Sequence, residues 1–151
     1  MMGSMKLLVL LAAVMSISAA DLGNVKTVYL LPMGNGLDQF LAVQLTTASV
    51  FQVVTDPQKA DAVLTDHVGA GFETKLDEIY GQAKPEDRDM FAPARRSSSP
   101  LKARGAIFLV DRKTRNILWS DYEHLKNTSA PTIHKTAEKI ASKLAKDVKG
   151  N

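Results

Sequence analysis

Cysteine is absent from the 151-residue chain. That excludes a disulfide scaffold, a thiol nucleophile, a Cys-ligated zinc or iron–sulfur site and a lipid-modified N-terminal cysteine. Charge of one sign is also scarce: 19 Lys and Arg stand against 16 Asp and Glu, a formal +3. So small an excess lacks the dense positive field that nucleic-acid binding usually needs. Aromatics make up only 6%, and no apolar run nears the ~20 residues required to cross hydrocarbon. What is present is 45% hydrophobic residues with 23% charged, enough to bury the core of one domain.

The first twenty residues follow the order of a secretory signal. Lys6 precedes the apolar run from Leu7 to Met15, and Ser18, Ala19 and Ala20 supply small residues before Asp21. The expectation is cleavage after Ala20, a single domain over 21–151, and a periplasmic or secreted location.

Patterning in the rest of the chain alternates between periods of two and of 3.6 residues. Lys26 to Leu31, Phe51 to Thr55 and Ala62 to Val68 read as strands, rich in β-branched and aromatic residues. Leu37, Phe40, Leu41, Gln44, Leu45 and Ala48 share one helical face, entered through the turn Pro32-Met33-Gly34-Asn35-Gly36. Asp56-Pro57 suits the start of a single turn. A minor helix is expected over Phe72 to Tyr80. Residues 81–104 lose periodicity and read as one long flexible loop. Gly105 to Asp111 and Ile117 to Tyr122 form a hairpin around Arg112-Lys113-Thr114-Arg115-Asn116. The closing helix carries Ile133, Ala137, Ile140, Ala141, Leu144 and Val148 as one stripe.

The order β-α-β-β-(α)-β-β-α predicts an α/β fold with a mixed sheet of about five strands and two main helices. Two amphipathic helices cover one face, so a two-layer domain is expected, its other face partly open or under the long loop. Phe108 and Val110 alternate with Ile107 and Leu109, which makes that strand central and covered on both sides.

These elements resemble a group of small bacterial envelope domains. Thr27-Val28-Tyr29-Leu30-Leu31-Pro32 before a helix, Phe51-Gln52-Val53-Val54-Thr55-Asp56, Lys59-Ala60-Asp61-Ala62-Val63-Leu64, and the hairpin Phe108-Leu109-Val110-Asp111 with Ile117-Leu118-Trp119-Ser120 carry the likeness. They are similar to the curli-secretion lipoprotein, the TolB N-terminal domain and the lipoprotein activators of penicillin-binding proteins. The resemblance implies action by binding other envelope components, without catalysis. The chain departs from that pattern in lacking a lipidated cysteine.

Residues that could carry chemistry are dispersed. Gly34-Asn35-Gly36 lacks the third glycine of a dinucleotide turn, because Gln39 stands there, so no nucleotide cofactor is expected. Among the three histidines, His67 adjoins Asp66, and the two should point to opposite faces of a strand. Asp121 and His124 are a more workable pair, while His134 sits near a helix start. Neither acid–histidine pair belongs to a zinc-binding spacing, so no metal is expected. Ser120 and Ser97 to Ser99 have no elbow or adjacent base. Asn127-Thr128-Ser129 matches a glycan acceptor pattern and serves equally as helix entry.

Arg95 and Arg96, with Arg88, Lys102 and Arg104, form the main basic cluster, which could meet an anionic lipid or an acidic partner. Trp119 is expected under the last helix; on the open sheet face with Tyr122 it would mark a partner surface. Arg95, Arg96, Trp119 and Tyr122 are therefore the candidate partner residues. The sequence reading is an exported, non-enzymatic α/β binding or accessory module of the cell envelope, working through protein–protein contacts or self-association. Its rivals are a small secreted hydrolase using His124 and Asp121, with or without a metal, and an assembly subunit pairing through a sheet edge.

Overall fold

The computed structural model describes residues 20–81 and 105–150. Nearly all of the expected signal segment, all but Ala20, and nearly all of the expected loop, with Arg95 and Arg96, lie outside the described residues. The chain runs α1 (Ala20–Gly23), β1 (Thr27–Leu30), α2 (Leu37–Ala48), β2 (Gln52–Val53), β3 (Ala62–Thr65), α3 (Ala70–Tyr80), β4 (Ala106–Asp111), β5 (Ile117–Tyr122) and α4 (Ala130–Lys149). The five strands make one sheet in the order β2-β1-β3-β4-β5. β1 pairs in parallel with β2 and β3, whereas β3–β4 and β4–β5 are antiparallel. This is the α/β mixed sheet that the patterning predicts.

Period-two alternation sorts the strand side chains into two cores. Val28, Ala62, Leu64, Ile107 and Leu109 face one way and meet Leu37, Leu41 and Leu45 of α2 and Ile133, Ile140 and Leu144 of α4. Leu31, Val63 and Val110 face the other way and meet Phe72 and Leu76 of α3. The expected distribution of helices therefore needs one correction: α3 covers part of the second face. The cause is its own amphipathic stripe, Phe72, Leu76, Ile79 and Tyr80, which has nowhere else to bury. β4 is apolar from Ala106 to Val110 and packs on both faces, with Ile107 and Leu109 buried on one side and Val110 buried beside a half-buried Phe108 on the other.

Several strand bounds are shorter than the sequence suggests. β3 ends at Thr65, whose buried hydroxyl donates to the His67 carbonyl at 3.0 Å and so turns the chain out of the sheet. β2 is only two residues long. At the turn after β1, positive φ falls on Asn35 (59°) and Gly36 (73°), so one of the two left-handed positions is an asparagine, which tolerates that region best after glycine. Asp56 caps the short 3-10 turn Pro57–Lys59 by accepting from the Gln58 N–H at 2.9 Å.

Since β1, β3 and β5 run in one direction, the segments that follow them leave the same end of the sheet. Each then feeds a helix, α2, α3 and α4 respectively. In open α/β sheets this carboxyl end is where ligands most often bind.

Candidate functional site

Two regions gather the polar and exposed apolar side chains that a function could use. The first is the carboxyl end of the sheet. There Asp66 Oδ2 accepts the Gly34 N–H at 3.1 Å, and its Oδ1 lies 2.7 Å from His67 Nδ1. The expected divergence of Asp66 and His67 is thus corrected. Both lie beyond the end of β3, outside the pleat that would have sent them to opposite faces. The His67 ring also meets Phe72 edge-on, with centroids 6.4 Å apart. A second carboxylate, Asp38, is buried and accepts the Met33 N–H at 3.0 Å and the Gln39 amide at 2.7 Å.

Those contacts define what this end can do chemically. An acid beside an imidazole orients a base, but a nucleophile must also lie within hydrogen-bond reach. The Thr65 hydroxyl, two residues before His67, is committed to the His67 backbone. Asp38 and Asp66 are spent on the N–H groups of Met33 and Gly34, which pins the β1–α2 turn. Among the described residues, no group of three or more His, Asp or Glu side chains could hold a metal ion.

The second region is β5, and its geometry is set by a bulge. Leu109 pairs with Trp119 and Val110 with Ile117, so Leu118 is the extra residue. A bulge interrupts strict alternation, which is how the consecutive Leu118 and Trp119 both pack against the α2–α4 core. Trp119 lies where the sequence reading put it, beside the last helix, and its indole N–H donates to Asp147 Oδ2 at 2.7 Å. It is therefore an anchor more than a free recognition residue. Asp121 projects from the same side and takes Lys143 Nζ at 3.2 Å, and Glu123 binds the same ammonium group. The Glu123 contact first, and the Asp121 contact second, raise the Lys143 pKa above its ordinary value.

The opposite side of β5 looks outward. Ile117 is 47% exposed and Tyr122 56% exposed. Ile117 pairs with Val110, and Ser120 with Phe108, so they continue the α3-side face past the end of the α3 cover. Among the described residues β5 is paired on one side only, by β4. Among the described residues no strand pairs with its other row of N–H and C=O groups, although α1 also touches β5. The Tyr122 hydroxyl lies 3.4 Å from His124 Nδ1. Asp121 and His124 are thus engaged by different partners, Lys143 and Tyr122, and do not form a working acid–histidine pair. His134 is exposed and meets Phe40 edge-on at 5.9 Å.

A third cluster ties α3 to the hairpin. Arg112 lies over the Tyr80 ring, 4.4 Å from its centroid, and donates to the Gln58 carbonyl at 2.6 Å. Arg115, held at φ 62°, reaches Glu73 at 2.8 Å and Asp77 at 3.5 Å. The Tyr80 hydroxyl donates to Pro57 O, and burial raises its pKa. Every long side chain here is committed to a neighbour, so the cluster works as a clasp.

The chain matches no protein-family model, no curated protein and no solved structure. The weight of a functional reading therefore falls on the geometry. Of the candidate partner residues, Tyr122 is presented to solvent, Trp119 is turned to α4, and Arg95 and Arg96 are outside the described residues. Sequence reasoning missed Ile117 as a surface residue. Ile117-Leu118-Trp119, three apolar neighbours in a strand that otherwise turns polar at Ser120 and Asp121, was the local signal for the bulge. Nothing local signalled the Lys143 clamp, whose partners lie 20 and 22 residues away.

Proposed function

We propose that the chain is an exported, non-catalytic binding or accessory module of the bacterial cell envelope, acting through protein–protein contacts at β5. The observation that carries this reading is the combination on one strand of an unpaired edge with exposed Ile117 and Tyr122 on one face. Such an edge accepts an extended segment of a partner by strand addition: the backbone supplies affinity, and the alternate side chains supply selectivity. Large exposed apolar groups beside polar Ser120 and His124 suit a partner contact better than they suit water. Export rests on the Lys6-to-Ala20 segment, and the envelope setting on the likeness to the curli-secretion, TolB N-terminal and penicillin-binding-protein activator domains. The rival hydrolase built on His124 and Asp121 has no comparable support, because those two side chains are held by different neighbours.

Site-specific photo-crosslinking in cells tests the proposal. A crosslinker at position 117 or 122 should give a common discrete adduct in the envelope fraction, and one at Thr47 on α2 should not. Absence of any adduct at 117 and 122, together with a monomeric protein in every fraction, would overturn it.

A further inference from the structure

The outer side of α4 departs from the charge balance of the rest of the chain. The helix holds five lysines, Lys135, Lys139, Lys143, Lys146 and Lys149, and two acids, Glu138 and Asp147. That surplus equals the +3 of the whole chain, so everything outside α4 is neutral overall. Lys143 is taken by Asp121 and Glu123. The other four are exposed and, among the described residues, none of them makes an ion pair.

Helical geometry lines these four up. At about 100° per residue, positions 135, 139, 146 and 149 fall within an arc of roughly 80°, with Ser142 between them. The stripe points directly away from the buried Ile133, Ile140 and Leu144. At 1.5 Å per residue it is about 21 Å long. Lysines in the last turn complement the helix dipole, which accounts for Lys146 and Lys149. Lys135 and Lys139 are too far from that turn to be explained so, and as like charges four residues apart they repel. Glu138 lies beside them without bonding either.

The neighbouring helix completes the surface. α2 packs alongside α4, and its single charged residue, Asp38, is buried; its outer side shows Gln39, Thr46, Thr47 and Val43, the last 58% exposed. The two helices thus offer a convex, two-helix surface with a cationic ridge and an uncharged flank. A convex ridge meets a plane well and cannot wrap a polymer. It also carries none of the stacking aromatics or arginine forks that nucleic-acid sites use.

We infer that the α4 ridge docks the protein on an anionic lipid bilayer surface, as a peripheral electrostatic contact without insertion, since the apolar face of α4 is already spent on the core. This inference does not depend on the β5 proposal. Ile117 and Tyr122 lie on the other sheet face, so docking by α4 would leave them turned away from the lipid.

Flotation with vesicles tests it on the full chain. Phosphatidylcholine vesicles with about 30 mol% phosphatidylglycerol should bind the protein at about 50 mM salt, and pure phosphatidylcholine vesicles should not. Each lysine near such a surface contributes about fivefold in partitioning, so the triple variant Lys135→Gln, Lys139→Gln, Lys146→Gln should bind on the order of a hundredfold more weakly. The triple variant Lys59→Gln, Lys75→Gln, Lys113→Gln, with the same net charge, should bind like the parent. Arginine at the three ridge positions should preserve binding, and thermal melts should show all variants folded. Equal loss in both glutamine triples, no binding to the anionic vesicles, or binding to duplex DNA or polyglutamate in preference to vesicles would each overturn the inference.

Discussion

The two faces of the sheet are built on different terms. On one, α2 and α4 lie side by side, and Leu22 of α1, Val25 just after it and Leu125 from the loop before α4 join them. Val28, Ala62, Leu64, Ile107 and Leu109 are thereby buried, while Leu30, Val53 and Trp119 pack partly buried at the margin. On the other, the 11-residue α3 supplies two fully buried side chains, Phe72 and Leu76, over Leu31, Val63 and Val110. A helix of that length is about 16 Å long and spans only part of a five-stranded sheet. The difference teaches that the first face makes the fold, whereas among the described residues the second leaves Ile117 and Tyr122 of β5 exposed, where the proposed contact lies.

The largest expected effect comes from testing whether α3 is an independent lid on a self-sufficient core. Phe72→Ala removes the bulkiest fully buried side chain and should cost about 3–5 kcal/mol by chemical denaturation. If the faces are as unequal as they look, the loss is local. Amides of α3 should exchange faster by hydrogen exchange, while those of α2 and α4 keep their protection. Leu144→Ala, at about 2–5 kcal/mol, should instead lower protection everywhere. Uniform loss in both variants would show one cooperative core and break the comparison.

A middle-sized effect separates Trp119 from Tyr122 on the same strand. Trp119→Phe keeps the packing under α4 and removes the hydrogen bond to Asp147, which should cost about 1 kcal/mol. The pair Ile117→Thr, Tyr122→Ser should change stability by no more than about 1 kcal/mol, because each residue keeps about half of its surface in water. The same pair should abolish the adduct formed by a crosslinker at position 120, which lies between them on the same face. A destabilisation of several kcal/mol from Ile117→Thr, Tyr122→Ser would mean that this surface belongs to the fold.

Much of this was legible in the residues themselves, and the limits were physical. The packing of β4 on both faces follows from Ala106-Ile107-Phe108-Leu109-Val110 being apolar at every position, although Phe108 is only half-buried on the α3 side. The Asp56 cap and the Trp119 placement follow from local chemistry in the same way. The side of the sheet on which α3 lies is not local: its stripe reads the same whichever face it covers, and only the crossover from β3 to β4 decides. Asp66 and His67 were misplaced because β-branched and apolar patterning does not mark the residue at which a strand ends. Here that point is set by the Thr65 hydroxyl turning back on His67. Candidate contact residues were legible where exposure contradicts hydrophobicity, as at Tyr122, and illegible where the bulge hid the edge, as at Ile117.

The smallest expected effect concerns a fastening at the amino end of the parallel strands, below both faces. Asp61 Oδ2 accepts the Lys26 N–H at 3.0 Å and the Thr27 N–H at 3.2 Å, tying the start of β1 to the start of β3. The Lys26 N–H bond, foremost, holds the Asp61 pKa below its ordinary 3.8, although partial burial pulls the other way. A carboxylate with a depressed folded-state pKa stabilises the fold above its unfolded pKa, and that contribution is lost as pH falls through the folded value. Asp61→Asn should therefore be less stable than the parent at neutral pH, and the gap should close below about pH 3.8. Solvent screening at this exposed group keeps the gap under about 1 kcal/mol. Paired denaturation curves from pH 7 down to the acid limit would measure it. A gap that stays constant with pH would assign the effect to side-chain shape instead of charge, and would leave the fastening equally strong for both faces in acid.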